Sequence, residues 1–209
     1  MAPVERSTAI FFCLPLLLAG ACKQRVPEPD GHAAAPTEPA QAPAPSIAIP
    51  GAPHAAADGL VWADPPGWTR VPTKSAMRLA TYVVPKTPGD PEDGELAIFH
   101  FGMNQGGDVE SNLTRWEKQF SDQKSPPKRS ERTENGLTVH FIEIESGTYG
   151  ASPMMGKQEG PKSNYGLIAS VVETPVGSYF FKLTAPAKTI AASEKQFFAL
   201  MDGLKLETP

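Results

Sequence analysis

"SERTENGLTVHFIEI", residues 130–144, places Asn135-Gly136 between two extended runs. Asn-Gly in that setting is the strongest short-range hairpin signal, because both residues tolerate the positive φ of a type I′ turn. One antiparallel pair is thereby expected in the middle of the folded part. Downstream, "YGLIASVVETPVGSYFFKLT" (165–184) reads as a second hairpin turning at "TPVG". Upstream, "MRLATYVV" (77–84) and "ELAIFHF" (95–101) are period-two strands joined by the Pro/Gly/Asp-rich "PKTPGDPEDG". "LVWADP" (60–65) is a short strand stopped by Pro65-Pro66, and "PPGWT" is a turn that returns Trp68 to the core.

Two helical patterns interrupt the strands. In "DVESNLTRWEKQFSD" (108–122), Val109, Leu113, Trp116 and Phe120 recur on one helical face. Asp108 and Glu110 suit its positive N-terminal end. In "TIAASEKQFFALMDG" (189–203), Ile190, Phe197 and Met201 share a side, and Gly203 suits a C-cap. Three strands, a helix, four strands and a helix predict an α+β layer sandwich: a largely antiparallel sheet of six to seven strands with two packed helices.

The segments "GWTR", "MRLATY", "NLTRWEKQF" and "YFFKLTAPAKTI" resemble uncharacterised bacterial lipoproteins associated with the PsbP-like fold. That fold is an α/β/α sandwich shared by a photosystem accessory protein and a Ran-binding nuclear import factor. The resemblance implies an architecture over residues 60–205 and no shared catalytic residue, since such a fold hosts unrelated roles.

The N-terminal stretch has a different character. The apolar run from Thr8 to Ala21 contains Pro15 and is shorter than the ~20 residues that cross a bilayer. Arg6, the run from Ile10 to Leu18 and the small residues Ala19, Gly20 and Ala21 suit a secretory signal over 1–21. Small residues before Cys22 resemble the lipobox of bacterial lipoproteins, which implies a diacylglyceryl group on the Cys22 sulfur. Ala19 stands where leucine is usual, and Ala19-x-Ala21 also reads as an ordinary cleavage site that would leave Cys22 a free thiol. With a lipid at Cys22 the membrane is the expected partner. Lys23, in place of an aspartate, favours the periplasmic face of the outer membrane over the inner membrane.

Cys13 lies inside the signal, so the mature chain would hold Cys22 alone, with no disulfide and no thiolate metal site. Residues 23–57 contain eight prolines and eleven alanines. Such a composition buries too little apolar surface to offset its ordering entropy. Residues 22–57 are therefore expected to be a lipidated cysteine on a disordered tether, and 58–209 a single domain. The net charge of −4 and the absence of a basic run give no footprint for nucleic acid.

Chemistry is sparse. There is no G-x-S-x-G and no H-E-x-x-H, and His100 and His140 sit in expected strands. No cofactor and no metal are expected, although loop residues Met103, Met154 and Met155 have thioethers that suit Cu(I). Gly106-Gly107 precedes the first helix, but Asp108 and Glu110 would oppose an anion there. At about 100° per residue, Asp108, Asn112, Arg115 and Gln119 line one flank of that helix beside Trp116. These five residues form a candidate surface for a peptide or small polar ligand; the alternative is a solvated flank with Arg115 paired to Asp108 or the sheet edge. The loop "SGTYGASPMMGKQEGPKSN" (146–164) is patternless and long enough to be a binding element.

The expectation is a lipid-anchored envelope protein with a non-catalytic domain that binds a protein partner or an envelope component. A small-ligand or soft-metal-binding lipoprotein is the alternative, and an enzyme comes third. An open apolar patch would favour the first. A pocket holding groups of perturbed pKa would favour the last.

Overall fold

The computed structural model describes residues 53–55, 59–73, 75–150 and 160–207. The signal at 1–21, Cys22 and the tether up to residue 52 lie outside the described residues, as do Met154 and Met155. The elements in chain order are β1 (Pro53–Ala55), β2 (Leu60–Ala63), β3 (Thr69–Val71), β4 (Arg78–Val84), β5 (Gly94–His100) and α1 (Val109–Glu117). They continue as β6 (Phe120–Ser121), β7 (Lys128–Glu134), β8 (Leu137–Tyr149), β9 (Lys162–Glu173), β10 (Tyr179–Pro186), α2 (Ala187–Asp202) and β11 (Lys205–Leu206). β1 falls within the stretch read as tether, and its backbone pairs with β2.

All pairings are antiparallel. The main sheet has eight strands in the order β3-β4-β5-β10-β9-β8-β6, with β7 also on β8, and β1-β2-β11 form a three-stranded side sheet. The α+β class holds, with a longer sheet than expected. β3, β6 and β11 are too short to display a period of two, so their pairing is set by neighbours rather than by local pattern.

The hairpin at the centre forms as its sequence dictates. Glu134 pairs with Leu137, and Asn135 (φ 50) and Gly136 (φ 81) make the two-residue turn. The Asn135 amide also donates to the carbonyls of Asp202 and Leu204, both at 2.9 Å, fastening this turn to the end of α2.

Alternate residues of the sheet enter two cores. On one face Tyr82, Ile98, Phe141, Phe181 and Leu183 pack with Ile190, Phe197 and Met201 of α2. On the other, Ile142, Leu167, Val171 and Phe180 pack with Leu113 and Trp116 of α1. A sheet covered on both faces needs apolar residues at successive positions, which is why "GLIASVV" and "YFF" lack alternation.

Two sequence expectations change. α1 ends at Glu117 instead of running to residue 122. Phe120 is still buried, but as a strand residue paired with Tyr149, while the Gly150 N–H donates to the Gln119 carbonyl at 2.8 Å. Pairing with β8 satisfies backbone groups that further helix would have satisfied internally, and tertiary contacts override propensity. The expected loop 146–164 is also shorter, because Thr148 pairs with Ser163 and Tyr149 with Lys162. Glycine disguises these strand ends. A Cβ on Gly147 would lie 2.7 Å from the Ser121 carbonyl oxygen, and one on Gly166 would lie 2.7 Å from that of Ile144. Residues 151–159 of that loop lie outside the described residues.

Candidate functional site

A cleft of about 490 Å³ opens on the sheet face that carries α1, and its lining takes no residue from that helix. Its floor comes from three strands: Arg78, Thr81 and Val83 of β4, Glu95 of β5 and Thr184 of β10. Its wall carries Tyr149 of β8 and Tyr165 and Lys162 of β9, with Glu92 from the β4–β5 connection. Positions two apart along one strand share a face, so Lys182 projects on the same side as Thr184. Its amine donates to the hydroxyl of Tyr149 at 3.1 Å, so it adjoins the cleft where Tyr149 lines it.

Polar groups in the cleft are held in three sets. The Arg78 guanidinium donates to Glu95 Oε1 at 2.8 Å and lies 5.5 Å above the Phe99 ring. Lys162 reaches Glu92 Oε2 at 3.2 Å, and the Tyr165 hydroxyl donates to the other oxygen of Glu92 through a short bond. That tyrosine bond, with help from Lys162, holds the Glu92 carboxyl below the usual range despite some desolvation. Burial first, and then Glu92, push the Tyr165 phenol up. The third set is Lys182, which donates to Gln119 Oε1 at 2.6 Å as well as to Tyr149.

Lys182 is half-buried, and desolvation pulls its amine down to about 7, with Arg115 and Arg78 adding repulsion and Glu95 opposing it. Burial raises the Tyr149 phenol, with Glu95 adding to the effect. The rings of Tyr149 and Tyr165 stack with centroids 6.2 Å apart and planes 12° from parallel. The Lys162 and Lys182 amines lie over these rings, 5.4 Å from the Tyr165 centroid and 5.1 Å from that of Tyr149, and such a mix of aromatic and charged groups suits a small polar molecule.

The five residues expected to form one flank separate into three environments. Asp108 is the N-cap of α1, accepting from the Ser111 N–H at 2.8 Å and the Ser111 hydroxyl at 2.7 Å. Asn112 is buried and donates to the carbonyls of Gly106 and Asp108, so it locks the helix start. Trp116 is buried edge-on to Phe180. Arg115 is exposed, donates to Asn112 Oδ1, and acts electrostatically on Lys182. Gln119 lies beyond the helix and accepts from Lys182. Only Arg115 and Gln119 therefore act on Lys182, Gln119 through a hydrogen bond and Arg115 through its charge, and neither lines the cleft itself. The flank does not form as a continuous surface, because the buried arc of this short helix takes in Asn112 beside Leu113 and Trp116.

His100 and His140 stand apart from the cleft lining. His140 lies between Glu131 (3.2 Å) and Glu173 (2.9 Å), and His100 stacks on Tyr179 at 4.1 Å. Met103 is exposed at the rim of a second cavity of about 500 Å³, which also carries Asn104, Asp108 and Ser178. Lys182 is the residue that sequence reasoning missed, and its signal was present. A lone lysine inside the buried run "YFFKLTAP" has to find enclosed partners. Arg78, Tyr149 and Tyr165 gave no such signal, since only pairing across the sheet assembles them.

No family model matches the sequence. No curated protein matches it either. Among solved structures, cyanobacterial PsbP from Synechocystis sp. PCC 6803 is 14% identical, covering 80% of this chain and 99% of that chain, with a TM-score of 0.47. A protein of unknown function from Pseudomonas aeruginosa is 14% identical, covering 68% of this chain and 99% of that chain, with a TM-score of 0.43. Likeness at this level transfers neither ligand nor partner to this chain.

Proposed function

We propose that the chain is a lipid-anchored protein of the cell envelope whose domain binds a small polar ligand without chemically altering it. The observation that carries the binding reading is the cleft with its stacked Tyr149 and Tyr165, lined by Arg78 and Lys162, with Lys182 bonded to Tyr149. It favours a small ligand over the protein partner expected first. The large apolar residues exposed among those described, Met77, Met103, Val176 and Leu206, come from separate segments rather than one continuous strand or helix face. Both wall tyrosines have raised pKa values, so they serve as hydrogen-bond donors rather than bases.

The anchor rests on the sequence around Cys22: small residues before it and the Pro/Ala-rich stretch after it. Outer-membrane placement rests on Lys23, and a soft-metal role would need Met103 with Met154 and Met155. Two experiments test the proposal. Perturbation of Tyr149 and Tyr165 resonances during a screen of polar small molecules tests the cleft, and silence of both throughout counts against it. The mass of the N-terminal peptide from the native host tests the anchor: a diacylglyceryl adduct on Cys22 supports it, and a free thiol overturns it.

The lowered pKa of Lys182 is the one observation that favours an enzyme, in which a neutral amine acts as base or nucleophile. Such an enzyme would lose turnover in Lys182→Arg, because a guanidinium stays protonated.

A further inference from the structure

We propose that the Tyr149 side of the cleft is a seat for one anionic group, a carboxylate or a tetrahedral oxyanion, gripped by Lys182 with Arg115 and Arg78 beside it. This rests on the reading of the cleft as a ligand site and names the chemistry of its occupant.

The cations around the cleft differ in how they are paired. Arg78 has Glu95 at 2.8 Å, and Lys162 has Glu92 at 3.2 Å. Among the described residues, Lys182 and Arg115 bond only neutral oxygens: Gln119 Oε1 and the Tyr149 hydroxyl for the first, Asn112 Oδ1 for the second. An ammonium withdrawn from water without a counter-charge is unfavourable unless something else supplies one. The groups acting on it come from several elements. Arg115 on α1 and Arg78 on β4 repel it, Glu95 on β5 attracts it but is already engaged by Arg78, and Tyr149 on β8 is neutral. The residues of β9 on the same face, Leu167, Ala169 and Val171, are apolar. A ligand anion is the missing partner.

Donors remain to receive it. An ammonium has three N–H bonds, and Lys182 uses two. The Tyr149 hydroxyl accepts from Lys182, so its own hydrogen is left to donate. Arg115 uses one N–H on Asn112, leaving the rest of its fork. Thr184 and Thr81 add hydroxyls to the lining.

Such a seat has a pH signature. With Lys182 near 7, an anion that requires the ammonium must draw in a proton above that pH, so its affinity falls as pH rises.

The test uses the full chain with sulfate and with acetate, whose charges stay constant across the neutral range. The Lys182 side chain is followed by NMR. We expect saturable shifts at Lys182, with affinity falling about tenfold per pH unit above 7. Saturation by sulfate alone assigns a tetrahedral oxyanion, and by acetate alone a carboxylate. Lys182→Met should abolish binding while Lys182→Arg restores it without the pH dependence. Arg115→Ala should weaken binding several-fold. No shift at Lys182 with either ion overturns the proposal, as does binding that persists unchanged in Lys182→Met. If polar compounds shift Tyr149 and Tyr165 while Lys182 is silent, the cleft stands and the anion seat falls. If all three stay silent, both readings fail.

Discussion

Asp90 caps a helix that starts almost a hundred residues later. Its Oδ2 accepts the backbone N–H of Thr189 at 2.8 Å and the Thr189 hydroxyl at 2.7 Å, and that hydroxyl in turn accepts the Thr87 N–H at 2.9 Å. Pro186, the N-cap residue of α2, makes no side-chain capping bond, so the first turn takes its acceptor from the β4–β5 connection. Asp90→Ala should lower stability by about 1–2 kcal/mol, with Thr189→Val costing a similar amount. In the double variant the losses should fall well short of additive. Denaturant midpoints check both points, and additive losses would mean that the two side chains act independently.

Trp116 is the anchor of α1. It is 3% exposed and meets Phe180 edge-on with centroids 6.4 Å apart. Trp116→Ala should cost about 3–5 kcal/mol through lost burial and a cavity. Its neighbour Arg115 is exposed, and Arg115→Ala should cost less than about 1 kcal/mol. A Trp116→Ala midpoint equal to that of the native chain would place the indole outside the core.

The contrast between those neighbours shows how far the sequence could be read. The helical period correctly buried Leu113 and Trp116, while Phe120 is buried from the strand that follows, and Asn135-Gly136 correctly placed the turn. Hydrophobic period and turn chemistry are local properties, so they survive without knowledge of partners. The exit from α1 at Glu117 was not legible, because it depends on Phe120 pairing with Tyr149. The cleft was hidden for the same reason. Arg78 and Glu95, or Glu92 and Tyr165, meet only when strand order is known. Asn112 looked like a surface amide because nothing local announced the Gly106 carbonyl that it satisfies.

β1 makes a prediction about where the folded domain begins. Its residues Pro53, His54 and Ala55 pair with Ala63, Trp62 and Val61. Limited digestion by a protease of broad specificity should therefore leave a fragment that starts upstream of Pro53, since backbone held in a sheet resists cleavage. N-terminal sequencing of the stable fragment decides the matter. A start at residue 58 would mean that β1 is too weakly held to protect its own backbone.

Lys182 should make stability rise with pH. The amine sits near 7 in the folded chain, against about 10.4 when unfolded. Below 7 both states hold the proton, and the cost of enclosing the ammonium is constant. Between about 7 and 10 the unfolded state binds more protons than the folded one, so stability increases with pH. The gain across that window should be on the order of 2–4 kcal/mol, reduced from the full shift because Lys182 retains some exposure. Tyr82, Tyr149 and Tyr165 all have raised pKa values, so the folded state holds their protons more tightly and their titration lowers stability only above about 10. The window from pH 7 to about 9.5 therefore isolates the lysine. Lys182→Met should be the more stable protein at pH 7 and should show a flat profile across the window. Unfolding midpoints at successive pH values measure both. A wild-type profile as flat as that of the variant would show that water or a counter-ion already relieves the ammonium in the free protein.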